Sequence, residues 1–356
     1  MDVTDLIYEA AFVPELWPKL LGEMADLSGS VGSTLFLFDD GPGRGITLEN
    51  LSDLLGEFLA NDDLRFSTSV VRMCNTKPHS FVDVDDYLSA AEIEHDPIRI
   101  KLRARGIGPH ICTAIPMPSG ELAIYVLQKP LDTPRYEPEA IDRLNELRPH
   151  LARAGLIATR LGLEQAKSTV AAFEALGLAA AICNHGRVLA ANAMFHAYPE
   201  VFRIGVQNRL SITNSSANVL LQAALCESLR SKEQQVRSIP VGIGAEIEPG
   251  VMHVLPLRRS ASEVLSGGDA AVVFTPVRAS ALIPAPNVLS GLFDLSPAEA
   301  KLAISLTGGQ PLKAAAMASD IKFSTARSYL EQIFRKTGTN QQSQLVALLK
   351  SASVLR

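Results

Sequence analysis

A chain of 356 residues has room for two or three domains. With 47% apolar and 20% charged residues it is excluded from the disordered polyelectrolytes and can bury real cores. The net charge of −5 is unevenly placed: residues 290–356 hold eight Lys/Arg against four Asp/Glu, a net of +4, and the rest of the chain is at −9. A polyanion partner is therefore expected for the last segment alone.

Cys74, Cys112, Cys183 and Cys226 form no CxxC pair, which argues against structural zinc and against a disulfide framework. The acidic start at residues 1–5 lacks the basic opening of a signal peptide. No run of about 20 apolar residues is present, so no membrane span is expected. Together these predict a cytoplasmic protein with reduced thiols.

In chain order, residues 3–27 space apolar side chains by three and four and predict an amphipathic helix, broken or bent by Pro14 and Pro18. Residues 34–38 predict a buried strand and residues 39–43 its turn. A helix near 51–60 and an irregular stretch to about 90 come next. Beyond that stretch, Asp96-Pro97 reads as a turn. Residues 112–115 and 122–127 predict two strands around a hairpin turn at 116–120. The segment 138–176 then predicts a long helix kinked at Pro149. Its seam of Ile141, Leu144, Leu147, Leu151, Ala154, Ala158 and Leu161 suits pairing with a second helix, and Leu144, Leu147 and Leu151 are the expected dimer contacts.

A second α+β region follows. Strands are expected at 178–183 and 188–190 around a turn at 184–186, with a helix opening at Asn192. Further strands are expected near 239–241, 251–257 and 270–275, the last pair joined at 267–269. Pro276, Pro284 and Pro286 mark an extended linker.

The last segment is the most specific. Ser296-Pro297-Ala298-Glu299 is a capping box with proline in the first helical turn. A first helix is expected from Pro297 to about Leu306, stopped at Gly308-Gly309. A second runs from about Pro311 to Ala318, a third from Phe323 to Thr337, and a fourth opens at Asn340. A tight turn between the second and third of four short helices suits the helix-turn-helix, whose second helix enters the major groove. On the third helix Ala326, Leu330, Ile333 and Phe334 make a core stripe. Ser324, Arg327, Ser328, Glu331 and Arg335 make the opposite one. Arg327 can reach guanine O6 and N7, and Glu331 can accept from cytosine N4. Lys322, Arg335 and Lys336 suit phosphates.

This segment resembles the LuxR-type helix-turn-helix family. The resemblance is carried by Leu295-Ser296-Pro297-Ala298-Glu299-Ala300, by Ser324-Thr325-Ala326-Arg327-Ser328-Tyr329-Leu330, by Ile333-Phe334-Arg335-Lys336-Thr337-Gly338-Thr339 and by Gln344-Leu345-Val346. It implies base contacts at Arg327, Ser328 and Glu331 and phosphate contacts near Lys322, Ser324, Thr325 and Lys336. It also implies subunit pairing through Leu345, Val346 and Leu349. Asp320, Lys322 and Tyr329 depart from the family's usual glycine, serine and histidine. The segment from Gly177 to Phe195 resembles the opening of a PAS domain, through Leu178-Ala179-Ala180-Ala181-Ile182-Cys183 and Gly186-Arg187-Val188-Leu189-Ala190-Ala191-Asn192. Residues 1–130 are similar to GAF-like sensory domains, through Trp17, Gly106-Ile107 and residues 122–127.

The expectation is thus a multidomain α+β chain. A GAF-like domain (1–134) and a PAS-like domain (173–278) are joined by a long helix (135–172). A linker (279–290) leads to an all-α, four-helix helix-turn-helix domain (291–356). The implied function is a homodimeric transcriptional regulator, with double-stranded DNA and RNA polymerase as partners. No cofactor or metal is evident, and an unidentified small-molecule ligand is the expected signal. No catalytic residue is expected: His110 and Cys112 share a strand face but have no identifiable acid partner or oxyanion donor. The competing reading is a protein-interaction module whose diverged helix-turn-helix no longer binds DNA.

Overall fold

The computed structural model describes residues 2–38, 43–118, 120–230, 235–241, 249–257, 267–277 and 286–351, without the side chains of 227–230 and 351. The expected turn at 39–42, Ser119 of the hairpin turn at 116–120 and residues 279–285 of the expected linker lie outside the described residues. The chain mixes helix and sheet up to Pro276, and its described residues from Pro286 onward are helical. Among the described residues no helix is long and apolar enough to cross a membrane.

The first helical segment is two helices, α1 (Val3–Phe12) and α2 (Trp17–Ser28), separated at Pro14. Pro18 falls in the first turn of α2, where its missing N–H costs nothing. Strands β1 (Gly32–Phe38) and β2 (Arg44–Thr47) follow. The stretch read as irregular is largely helical: α3 (Ser52–Ala60), α4 (Asp62–Arg65) and α5 (Thr68–Thr76) precede a two-residue β3 (Val82–Asp83), α6 (Ala90–His95) and α7 (Pro97–Ala104). Asp96 is the N-cap of α7 rather than a free turn residue, accepting from the amides of Ile98 and Arg99. Strands β4 (Ile107–Pro116) and β5 (Leu122–Pro130) complete an antiparallel sheet of order β2-β1-β5-β4-β3.

Both faces of this sheet are covered. Leu35, Leu37, Ile111, Tyr125 and Leu127 point to α1 and α2, and the alternate residues Phe36, Phe38, Cys112, Ile124 and Val126 point to the α3–α7 side. Double coverage explains why β1 reads as an unbroken apolar run.

Helix α8 (Pro138–Ala175) continues through Pro149. Its first half completes the first core with Leu144, Leu151, Ala154 and Ala158, each at most 2% exposed, and with Leu147. The seam expected to pair two chains is therefore occupied by the chain's own α1, α2 and sheet. Leu144, Leu147 and Leu151 are not free for a second copy, because amphipathic spacing does not distinguish an intramolecular partner from an intermolecular one. Leu161, the last member of that seam, is exposed.

The second half of α8 lies on another sheet through Ala166 and Val170, which meet Ile182 and Ala271. That sheet comprises β6 (Ala179–Asn184), β7 (Arg187–Ala191), β10 (Arg237–Val241), β11 (Gly250–Pro256) and β12 (Ala270–Pro276). Between β7 and β10 come α9 (Ala193–His196), a short hairpin of β8 (Phe202–Ile204) and β9 (Leu210–Ile212), and α10 (Ser215–Arg230). The order β10-β11-β12-β6-β7 is antiparallel. Leaving the β8–β9 hairpin aside, it repeats the connectivity of the first sheet. Phe195, Phe202, Met252 and Phe274 fill the face away from α8. Asn192 ties three elements: its Oδ1 accepts from Ala180 and Phe195, and its Nδ2 donates to the carbonyls of Leu178 and Val170. Arg44 of β2 pairs with Glu121 at 2.5 Å and donates to Asn184 Oδ1 at 3.5 Å, a direct polar link between the two sheets.

Among the described residues the last unit has five helices: α11 (Pro286–Phe293), α12 (Pro297–Thr307), α13 (Leu312–Ala318), α14 (Phe323–Thr337) and α15 (Gln342–Ser351). Helix α11 lies partly in the expected linker, and its Leu289 is fully buried in the core of this unit.

Leu151→Ala is expected to lower the unfolding free energy by about 2–5 kcal/mol, the range for a truncated core leucine. The loss should be the same at all protein concentrations in urea titrations. A loss that disappears on dilution would return this seam to a chain–chain interface.

Candidate nucleic-acid interface and an apolar cavity

The C-terminal unit is organised by its small residues. Ala300, Ala303, Ala315, Ala316 and Ala326 are all at most 2% exposed, so α12, α13 and α14 approach closely around Leu302, Leu306 and Ile333. The chain turns between α13 and α14 through Ser319 and Asp320, with Ser319 N–H donating to Ala315 O and Ile321 N–H to Ala316 O. Asp320 holds φ of +55°, a left-handed conformation that aspartate tolerates better than most residues.

The core face of α14 is made by Ala326 and Ile333, both fully buried, with Tyr329, Leu330 and Phe334 partly so. The opposite stripe of Ser324, Arg327, Ser328, Glu331 and Arg335 is exposed, as is Lys322 at the N-cap, and Thr325 is half-buried. Among the described residues Lys322, Arg327 and Arg335 have no ion-pair partner. The Lys322 side chain makes no capping bond, which leaves the first-turn amides of α14 open beside a positive charge. Open helical amides with an adjacent cation suit a phosphate oxygen.

Lys336 is placed differently from its expected phosphate role. Its ammonium donates to Glu299 Oε2 and to Asp294 O, both at 2.7 Å. Glu299, itself 2% exposed, also accepts from the Ser296 amide at 2.7 Å, so the capping box of α12 is clamped to the end of α14. Burial alone would raise the Glu299 pKa, but the hydrogen bonds from Lys336 and Ser296 outweigh it and hold the carboxyl below its ordinary range. A buried carboxylate attracts the nearest cation more strongly than a solvated phosphate does, which is why Lys336 turns inward. Leu345 and Leu349 are fully buried in the same core and are likewise not free for a second subunit, whereas Val346 is half-buried. Their periodicity reports the unit's own packing. The fourth expected helix, α15, begins at Gln342 rather than Asn340.

The first unit holds a half-open cavity of about 90 Å3 between its sheet and the α3–α7 side. The wall is mainly apolar, with Phe36, Phe38 and Phe58 grouped along it at ring separations of 5.0–6.3 Å. Gln128 lines it, and its Oε1 is buried without a hydrogen-bond partner among the described residues. His110 lines it too, beside the buried Arg99, which pairs with Asp85 and donates to His110 Nε2 at 2.8 Å. Burial, then the Arg99 charge, pushes the His110 pKa down to about 3, so the ring is neutral. Burial pushes the Cys112 thiol up to about 12. The His110–Cys112 pair is thus held opposite to the thiolate and imidazolium that nucleophilic catalysis uses.

None of the cavity residues was singled out as a ligand site from sequence. The available signals were the apolar run of β1, which implied a second covered face, and the polar His110 and Gln128 within otherwise apolar strands.

No family model and no curated protein matches the chain. Several solved structures show a loose likeness. Escherichia coli SdiA is 10% identical, with 99% of this chain and 92% of that one covered, at a TM-score of 0.32. The VqsR LBD domain from Pseudomonas aeruginosa is 15% identical over 43% of this chain and 91% of that one, at 0.34. The N-acylhomoserine lactone dependent LuxR family transcription factor CepR2 from Burkholderia cenocepacia is 14% identical over 44% of this chain and 97% of that one, at 0.29. At TM-scores this low the likeness assigns neither ligand nor partner to this chain.

Because the Glu299 pKa is lowered by folding, its contribution is present above the unfolded carboxyl value, about 4.3, and is lost as pH falls through the folded value. Thermal midpoints of the C-terminal unit within the full chain should therefore be flat above about pH 5 and fall below about pH 4. Lys336→Met should weaken that acid dependence, leaving only the part due to Ser296, and lower stability by roughly 3 kcal/mol, as expected on breaking a buried pair. An unchanged pH profile in the variant would show that the clamp does not form.

Proposed function

We propose that the chain is a DNA-binding regulator in which α14 enters the major groove and the N-terminal unit senses a small molecule in its cavity. The observation that carries the reading is the exposed stripe of α14 beyond a tight helix–helix turn, with Lys322, Arg327 and Arg335 lacking ion-pair partners among the described residues. Unpaired cations on a convex helix suit a polyanion, and this is the basic end of an otherwise acidic chain. Lys322, Ser324, Thr325 and Arg335 would position the domain on phosphates, and Arg327, Ser328 and Glu331 would meet base edges. Lys336 is withdrawn from that set by its clamp.

We further read the two sheets, which share one strand order, as GAF-like and PAS-like sensory folds. The cavity of the first would take a mainly apolar effector. The regulator would act as a homodimer on two half-sites, with surfaces other than the buried Leu144, Leu147, Leu151, Leu345 and Leu349 making the contact.

A second reading keeps the C-terminal unit as a protein-binding module. It is favoured by two large apolar side chains near the turn, Met317 at 76% and Phe323 at 52% exposure.

The two readings separate by selection of duplexes from a random pool with the full chain, followed by affinity against salt. DNA binding gives an enriched motif and an affinity that falls steeply with salt. Arg327→Ala should then cost roughly 1–3 kcal/mol and relax preference at one base pair. No enrichment with salt-insensitive, weak binding would favour the protein-binding module.

A further inference from the structure

We propose that Phe323 reads the 5-methyl group of thymine at the start of the site bound by α14. The inference rests on the DNA-binding reading above. Phe323 is the first residue of α14 and is 52% exposed. Phe323, Arg327 and Glu331 step by four, and all three are exposed, so one file along the helix carries an aromatic ring, a guanidinium and a carboxylate in that order. The ring stands at the edge of the core face, one turn before the buried Ala326 and two before the partly buried Leu330, between that face and the exposed stripe, and keeps 52% of its surface exposed. Among the described residues it stacks on no other aromatic ring.

The chemistry of the file matches the major groove. Guanine offers two acceptors to an arginine and cytosine a donor to a carboxylate, and the apolar feature of the groove is the thymine methyl. The N-terminal residues of a recognition helix are those that reach base edges. Lys322 beside the open first-turn amides would fix this end of α14 on a phosphate, within one residue of the Phe323 ring. An exposed phenylalanine at that place gains by covering a methyl group and gains nothing from water. The expected half-site therefore carries thymine at the end met by the start of α14, with guanine for Arg327 and cytosine for Glu331 further along.

The test uses the full chain and the duplex enriched by random-pool selection. Each thymine is replaced in turn by deoxyuridine, which removes the methyl and leaves the hydrogen-bonding edge intact. Affinities are compared at fixed salt for the wild type, Phe323→Ala and Phe323→Leu. One position should weaken wild-type binding by about fourfold, the transfer of roughly one carbon out of water. The same replacement should leave Phe323→Ala unchanged, and Phe323→Leu should keep part of the effect. Thermal melting of Phe323→Ala should match the wild type, because the position is exposed.

Methyl removal without effect at every thymine, or with the same effect in Phe323→Ala, would overturn the proposal while leaving DNA binding intact. A melting temperature that falls in Phe323→Ala together with a uniform loss at all sites would assign the ring to the fold instead. Failure of the wild type to enrich any duplex would overturn the DNA-binding reading itself, and would place Phe323 with Met317 on a protein-binding surface.

Discussion

Helix α8 carries one apolar stripe along its whole length, and that stripe closes two separate cores. Leu144, Leu151 and Ala158 belong to the first, and Ala166 and Val170 to the sheet of the second. At about 1.5 Å per residue the helix extends roughly 57 Å. The backbone hydrogen bonds of a continuous helix hold its two ends in register over that distance. The Arg44 link to Glu121 and Asn184 adds a second, polar connection. A change at the cavity wall thus has a mechanical route to the second unit: α3–α7 lie across the first sheet from α8, and the sheet is shared between them.

The parts of this architecture that could be read from residues alone were those with local chemical markers. The capping box at Ser296 and Glu299, the Gly338 stop and the alternating faces of α14 are short-range features, and each lies where spacing puts it. Helix α5 had no such marker: its first turn holds Thr68, Ser69, Val70 and Val71, which favour strands or turns, and packing through Met73 overrides that preference. The leucine seam of α8 was visible, but its partner was not, because periodicity specifies a buried face and is silent on what buries it. Leu345 and Leu349 teach the same lesson in a shorter helix. Lys336 shows a third kind of limit. Its charge was evident, yet its direction depends on Glu299, a residue 37 positions away.

The C-terminal unit separates its charges by burial. The acidic Glu299 is sealed and answered from within by Lys336, while Arg327 and Arg335 of α14 and Lys322 at its N-cap are left to solvent. Without the clamp the sealed carboxylate would set a negative field beside the end of α14, against any phosphate approaching it. The clamp therefore stabilises the fold and also keeps the outer face positive. The cavity of the first unit uses the opposite arrangement. Arg99 and Asp85 answer each other behind His110, which stays neutral, and the wall presented to the interior is uncharged.

The continuity of α8 has a consequence for how such a chain can vary. Between the residues that face the first core and those that face the second sheet, the stripe drifts by roughly 80° at 3.6 residues per turn. That azimuth is a phase, and it is quantised by residue count. One residue inserted between Ala158 and Ala166 would swing the second unit by about 100° and shift it by about 1.5 Å, separating Arg44 from Asn184. Seven inserted residues, close to two full turns, would nearly restore the phase. Homologous chains should differ in α8 by substitution or by whole pairs of turns, while the loops around it change length freely.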